Sequence, residues 1–217
     1  MKLRIVLIAT ALFGLVLLKR EETSSAPPST LVAFGDSLTF GAGVRPDQSY
    51  PAVLSTLTSM HVVNAGLSGN TVILECPVCG TPGVRRFATD VLTVPAVHTV
   101  VVLIGINDVR RGATAARITE GLASIITQAH RVHLRIIGVT LLPINLRGPY
   151  IRQAHNQEIR AAVNAWIRHA PYDAVVDGDV LADAQGELDP RYDSGDGLHL
   201  SVLGYRTLAQ AVARSLH

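Results

Sequence analysis

The amino-acid sequence predicts an α/β protein, a three-layer α/β/α sandwich around a central five-stranded parallel sheet. Five short β-branched runs, at residues 31–34, 62–63, 99–104, 135–141 and 174–176, are spread along the chain. Between them stand segments with helical apolar recurrence, the clearest at 114–132 and 151–169, and another at 201–216 closes the chain. Strand then helix, repeated, builds a parallel sheet with helices on both faces. The chain is also long and apolar enough to bury one substantial core, with 217 residues of which 48% are hydrophobic and 17% charged.

The N-terminus is set apart from this pattern, dividing the chain into residues 1–30 and a single domain at 31–217. Lys2 and Arg4 precede an apolar run at 5–18, followed by Lys19-Arg20-Glu21-Glu22 and a Ser/Pro-rich stretch. A basic start, a short apolar run and the small residues Ser24-Ser25-Ala26 read as an export signal. The alternative is an uncleaved membrane anchor, although a spanning helix needs roughly 20 apolar residues. Either reading puts the domain outside the cytoplasm. Formal net charge is only +2 and the basic residues are scattered, so no nucleic-acid partner is expected.

The first strand runs straight into Phe34-Gly35-Asp36-Ser37-Leu38-Thr39. An apolar run that stops at Gly-Asp-Ser reads as a buried strand ending in a tight turn, a seat for a nucleophilic Ser37. Read more plainly, Asp36 or Ser37 caps a helix. The second strand leads to Asn64-Ala65-Gly66-Leu67-Ser68-Gly69-Asn70, and the third to Gly105-Ile106-Asn107-Asp108. In parallel sheets ligands bind beyond the carboxyl ends of the strands. Topology alone therefore brings Ser37, Gly69 and Asn107 to one rim. Two longer connections, 69–84 and 142–150, lie where they would shape access to it.

A serine hydroxyl needs a base to remove its proton, and histidine is the usual one. Of eight histidines, His199 is singled out by Asp196 three residues earlier, close enough for a carboxylate to orient the ring. The plainer reading is that both residues begin the last helix. Candidate oxyanion donors are the main-chain N–H groups of Ser37 and Gly69 and the side-chain amide of Asn107. A residue without Cβ at position 69 lets a substrate approach the main chain, whereas Asn107 alone would be an ordinary turn residue. Asp36 and Asp108 read as structural supports. Competing signals fail: Gly41-Ala42-Gly43 has Pro46 where a dinucleotide fingerprint needs its third glycine. His130 and His133 lack a third metal ligand nearby, and Asp189, Asp193 and Asp196 do not fit a calcium loop. No metal or other cofactor is expected. Cys76 and Cys79, in Cys76-Pro77-Val78-Cys79, read as a local disulfide in an extracytoplasmic loop.

Together the blocks around Ser37, Gly69, Asn107 and Asp196/His199, in that order, resemble the GDSL family, also called SGNH hydrolases. The resemblance covers nearly all of the chain after the N-terminal segment. It implies a flavodoxin-like arrangement of the sheet and a serine esterase with Ser37, His199 and Asp196 as triad. The same positions Ser37, Gly69 and Asn107 are implied as oxyanion hole. The expected partner is a small-molecule ester or lipid, with short to medium acyl esters, thioesters or lysophospholipids as substrates. A carbohydrate O-acetyl esterase is the alternative within the family, and a catalytically silent lipid- or sugar-binding protein the alternative outside enzymes. Leu67, Val72, Ile106, Val109, Ile144 and Leu198 flank the blocks and are candidates for an apolar acyl groove or for core.

Because every block lies beyond residue 31, deleting residues 1–26 should leave a soluble, active protein. A truncated chain that is insoluble while the full chain folds in detergent would make the apolar segment part of the working structure.

Overall fold

A computed structural model describes residues 29–145 and 154–217. The expected signal or anchor, and residues 146–150 of the 142–150 connection, lie outside these residues. Five strands, β1 (Thr30–Gly35), β2 (His61–Gly66), β3 (Val97–Leu103), β4 (Arg135–Val139) and β5 (Ala174–Val176), form one sheet in the order β2-β1-β3-β4-β5. Every pairing is parallel. The predicted runs fall on these strands, but β2 is much longer than its two valines suggested. Pairing with β1 continues through Asn64, Ala65 and Gly66, which have no strand preference of their own.

The sheet is covered on both faces, as parallel sheets are. Successive side chains of β1 point to opposite sides. Leu31 and Ala33 enter one core with Tyr50 and Leu54 of α2 (Tyr50–Leu57) and Tyr205, Leu208 and Val212 of α7 (Val202–Arg214). Val32 and Phe34 enter the other. There they meet Phe87 of α3 (Gly83–Phe87), Ile118, Leu122 and Ile125 of α5 (Ala115–His130), and Ile159 and Val163 of α6 (Ala154–His169). Thr114 caps α5 by accepting from the Arg117 N–H, and Ser201 caps α7 by accepting from the Gly204 N–H. Among the described residues, no helix is long and apolar enough to cross a membrane.

Two short helices matter most for the site: α1 (Ser37–Phe40), directly after β1, and α4 (Ile106–Arg110), after β3. The chain leaves β1 for β2 on one side and returns to β3 on the other, so the direction of winding reverses between β1 and β3. Crevices in open α/β sheets form at such reversals.

α1 lies directly against the end of β2. A Cβ built on Gly66 would collide with the Phe40 main-chain nitrogen and come within 2.6 Å of the Thr39 carbonyl carbon. Both are backbone atoms and cannot rotate away. Gly66→Ala should therefore force α1 off the sheet and cost about 1–3 kcal/mol of stability, read as a lowered urea midpoint with unchanged slope. A Gly66→Ala variant as stable as the parent would mean that this contact does not hold α1.

Candidate active site

Ser37 is the first residue of α1, and the preceding Asp36 is its cap, with Oδ1 accepting from the Leu38 N–H at 3.0 Å. The capping read from the sequence is present, and the candidate nucleophile is the cap's immediate neighbour. From the other end of the chain, His199 Nε2 accepts from the Ser37 hydroxyl at 2.9 Å. Its Nδ1–H donates to Asp196 Oδ2 at 2.6 Å. The second carboxylate oxygen of Asp196 accepts from the main-chain N–H groups of Leu198 (3.0 Å) and His199 (2.8 Å). The largest single influence on Asp196 is partial burial, which pushes its pKa up. Bonds from the His199 ring and the two main-chain N–H groups outweigh it and hold the carboxyl below its ordinary value. Ser37, His199 and Asp196 therefore stand in one hydrogen-bonded line, with the negative end fixed and ionised.

Sequence reasoning missed what positions this loop. Asp193 Oδ1 accepts from the N–H groups of Gly195 (2.8 Å), Asp196 (3.1 Å) and Gly197 (3.0 Å), gathering the turn into an Asx-type cradle. The signal is present in Asp193-Ser194-Gly195-Asp196-Gly197, where the aspartates draw attention first as calcium ligands. Among the described residues no group of three or more potential ligands could hold a metal. Asp189 instead pairs with Arg191, and His130 lies 3.5 Å from Asp173 at the opposite end of the sheet.

Gly69 adopts φ +78°, a left-handed conformation that disfavours a side chain. That is a stronger reason for glycine than the close approach anticipated from sequence. Asn107 is buried in α4, its Nδ2 donating to the Asn70 carbonyl at 2.9 Å and its Oδ1 accepting from Arg110 at 3.1 Å. The two bonds fix which way the amide faces, and an amide nitrogen carries a second hydrogen beyond the one given to Asn70. Asp108 accepts from the N–H groups of Val72 (2.6 Å), Ile73 (3.2 Å) and Leu74 (3.4 Å), tying the segment after β2 to α4. Cys76 and Cys79 are bonded to each other, and the Cys79 carbonyl accepts from Asn70 Nδ2 at 2.9 Å. The small disulfide ring is thereby attached to the residue beside Gly69.

Of the two roles open to the apolar residues flanking the blocks, groove or core, the structure gives core to all but Leu67. Val72, Ile106, Val109, Ile144 and Leu198 are buried in the two cores, because the helices and loops that carry the site must themselves be anchored to the sheet. Leu67 alone of that set is exposed. A different cavity, of about 280 Å³, is lined by Phe40, Gly41, Val44, Pro46, Asn64 and Gly66. Phe40 lies one turn after Ser37, on the same side of α1, with its ring largely exposed.

A family model described as the GDSL-like lipase/acylhydrolase family matches residues 33–207. No curated protein matches the chain. Among solved structures, a G-D-S-L family protein described as lipolytic, from Desulfitobacterium hafniense DCB-2, is 24% identical with TM-score 0.71, covering 86% of this chain and 99% of its own. The aryl esterase of M. smegmatis is 20% identical with TM-score 0.69, covering 87% and 98%. A carbohydrate acetylesterase family member from Sinorhizobium meliloti is 21% identical with TM-score 0.71, covering 87% and 97%.

Asp36 gives this site a pH signature. The residue is fully buried and its Oδ2 has no hydrogen-bond partner. Burial raises its pKa from 3.8 to about 7, and the bond from the Leu38 N–H only partly opposes this. The folded protein then holds a proton that the unfolded chain releases near its lower, ordinary value. Stability from this group is full in acid, declines as pH rises above that value, and levels off beyond about 7. The decline amounts to at most about 4 kcal/mol. Asp36→Asn, which copies the protonated shape, should flatten it in urea titrations from acid to neutral pH. Parallel stability curves for variant and parent would mean that Asp36 is ionised in the fold.

Proposed function

Because this chain belongs to the GDSL-like lipase/acylhydrolase family and is an ester-bond hydrolase, we propose that it cleaves carboxylic esters through an acyl-enzyme on Ser37. The observation that supports this most directly is the pair of bonds on His199, one to Ser37 Oγ at 2.9 Å and one to Asp196 at 2.6 Å. As the Ser37 oxygen attacks the ester carbonyl, its proton passes to His199 Nε2. Asp196 keeps the ring in the tautomer that can accept it and stabilises the resulting imidazolium. The carbonyl oxygen becomes an oxyanion and is received by the N–H groups of Ser37 and Gly69 and by Asn107 Nδ2. Collapse breaks the ester C–O bond, and His199 returns its proton to the departing alkoxide. Water then attacks the acyl-enzyme with His199 again as base, releasing the acid and restoring Ser37.

For substrates we favour short to medium acyl esters, thioesters or lysophospholipids over acetylated carbohydrate. The apolar cavity beside Phe40 supports this choice, since its lining offers one polar side chain, Asn64, where a sugar would need several. We further place the enzyme outside the cytoplasm, a reading that the Cys76–Cys79 bond supports.

Ser37→Ala should abolish covalent labelling by a fluorophosphonate and reduce turnover to background. Asn107→Ala should still be labelled, more slowly, and lose about 3 kcal/mol of transition-state stabilisation, chiefly in kcat. Across p-nitrophenyl esters, Phe40→Ala should lower kcat/KM more for butyrate and hexanoate than for acetate. Undiminished kcat in Asn107→Ala removes the oxyanion role, and activity confined to acetylated polysaccharide overturns the substrate choice.

A further inference from the structure

Arg86, on α3, is almost completely buried, an expensive place for a cation. A hydrocarbon side chain stacked on Phe34 would fill the same volume; the guanidinium lies 4.1 Å over that ring. What a guanidinium adds is direction. Nη2 donates to the Gly35 carbonyl, two residues before Ser37. Nη1 donates to the Ala65 carbonyl at 3.0 Å, near the end of β2, and to Asp90 at 2.6 Å. Nε donates at 2.8 Å to the side-chain oxygen of Asn70, the residue after Gly69. The Asn70 carbonyl in turn receives the Asn107 amide at 2.9 Å.

One planar group thus touches the strand end that presents Ser37 and the residue next to Gly69, and reaches Asn107 through Asn70. We propose that Arg86 is a positioning residue that sets the spacing of the oxyanion donors, an inference that rests on the oxyanion reading of Ser37, Gly69 and Asn107. The rigid fork of arginine suits the task, because its donors hold fixed angles to one another. Lysine keeps the charge but offers a single rotatable centre that cannot hold three segments in register. Asp90, itself partly exposed, pairs with the guanidinium at 2.6 Å and neutralises its charge.

The test is Arg86→Lys measured for kcat, KM and affinity for benzeneboronic acid, whose adduct on Ser37 imitates the tetrahedral intermediate. We expect kcat to fall about 10- to 100-fold with KM within about twofold, and boronate affinity to fall in parallel with kcat. In an Asn107→Ala background the same substitution should cost less than in the parent, since one of the donors it spaces is already gone and both act on one oxyanion. A lowered melting temperature with parental kcat and boronate affinity would make Arg86 a structural residue only, and a full, additive loss beside Asn107→Ala would equally overturn the proposal. Should Arg86→Lys fail to fold, Asn70→Ser cuts the relay at Nε and must show the same kcat-only loss; parental kcat there overturns the proposal too. Parental kcat in Asn107→Ala alone would instead remove the oxyanion reading beneath it.

Discussion

The site is built on the common level at which β2, β1 and β3 end. Gly35, closing β1, is paired with Gly66 of β2 on one side and Leu103 of β3 on the other. The loops carrying Ser37, Gly69 and Asn107 therefore start from one height. A slip of one residue would exchange Leu31 and Ala33 with Val32 and Phe34, sending each set into the wrong core. Register is thus held by hydrophobic packing on two faces, and chemistry at the rim inherits that precision. The last strands and α7 bring His199 back over the same edge, so the residues that meet at Ser37 come from both ends of the domain.

Above the apolar layers the rim is polar yet buried. Asp36, Asn70, Arg86, Asn107 and Asp108 all have little exposure, and the bonds from Arg86 and Asn107 to Asn70 and from the Val72 N–H to Asp108 join segments far apart in sequence. Such networks stiffen a site when their members are satisfied, because each unsatisfied group would be costly. Asp36 is the exception in having one unpartnered oxygen, and the same burial that leaves it so pushes its pKa up to about 7. The disulfide ring adds a further strap through the bond from Asn70 to the Cys79 carbonyl. Loop entropy for so small a ring gives at most about 2 kcal/mol, so its value here is local placement more than global stability.

The strands and long helices were legible because burial on one or two faces writes a period into the sequence, and the blocks after the strands were legible because turn chemistry is local. Asp196 and His199 could be paired at a distance of three residues. Arg86 could not be found this way, because its partners at Gly35, Ala65 and Asn70 are remote from it in sequence. The choice between groove and core stayed open in the sequence for a related reason. Proximity in sequence to a catalytic block says that Val72, Ile106 and Leu198 are near the site, but not whether they face it or anchor it. The cavity beside Phe40 is assembled from α1, the following loop and the edge strand, a juxtaposition that only the fold reveals.

On the proposed reading, the ends of β1, β2 and β3 hold one set of donors for one oxyanion. A crystal structure of the enzyme carrying a phosphonate adduct on Ser37 tests it most directly. One adduct oxygen should lie within hydrogen-bond reach of Ser37 N, Gly69 N and Asn107 Nδ2 together, with Arg86 still joined to Gly35 and Asn70. An adduct oxygen turned to solvent, or held by other groups while Asn107 keeps only its bond to Asn70, would contradict it.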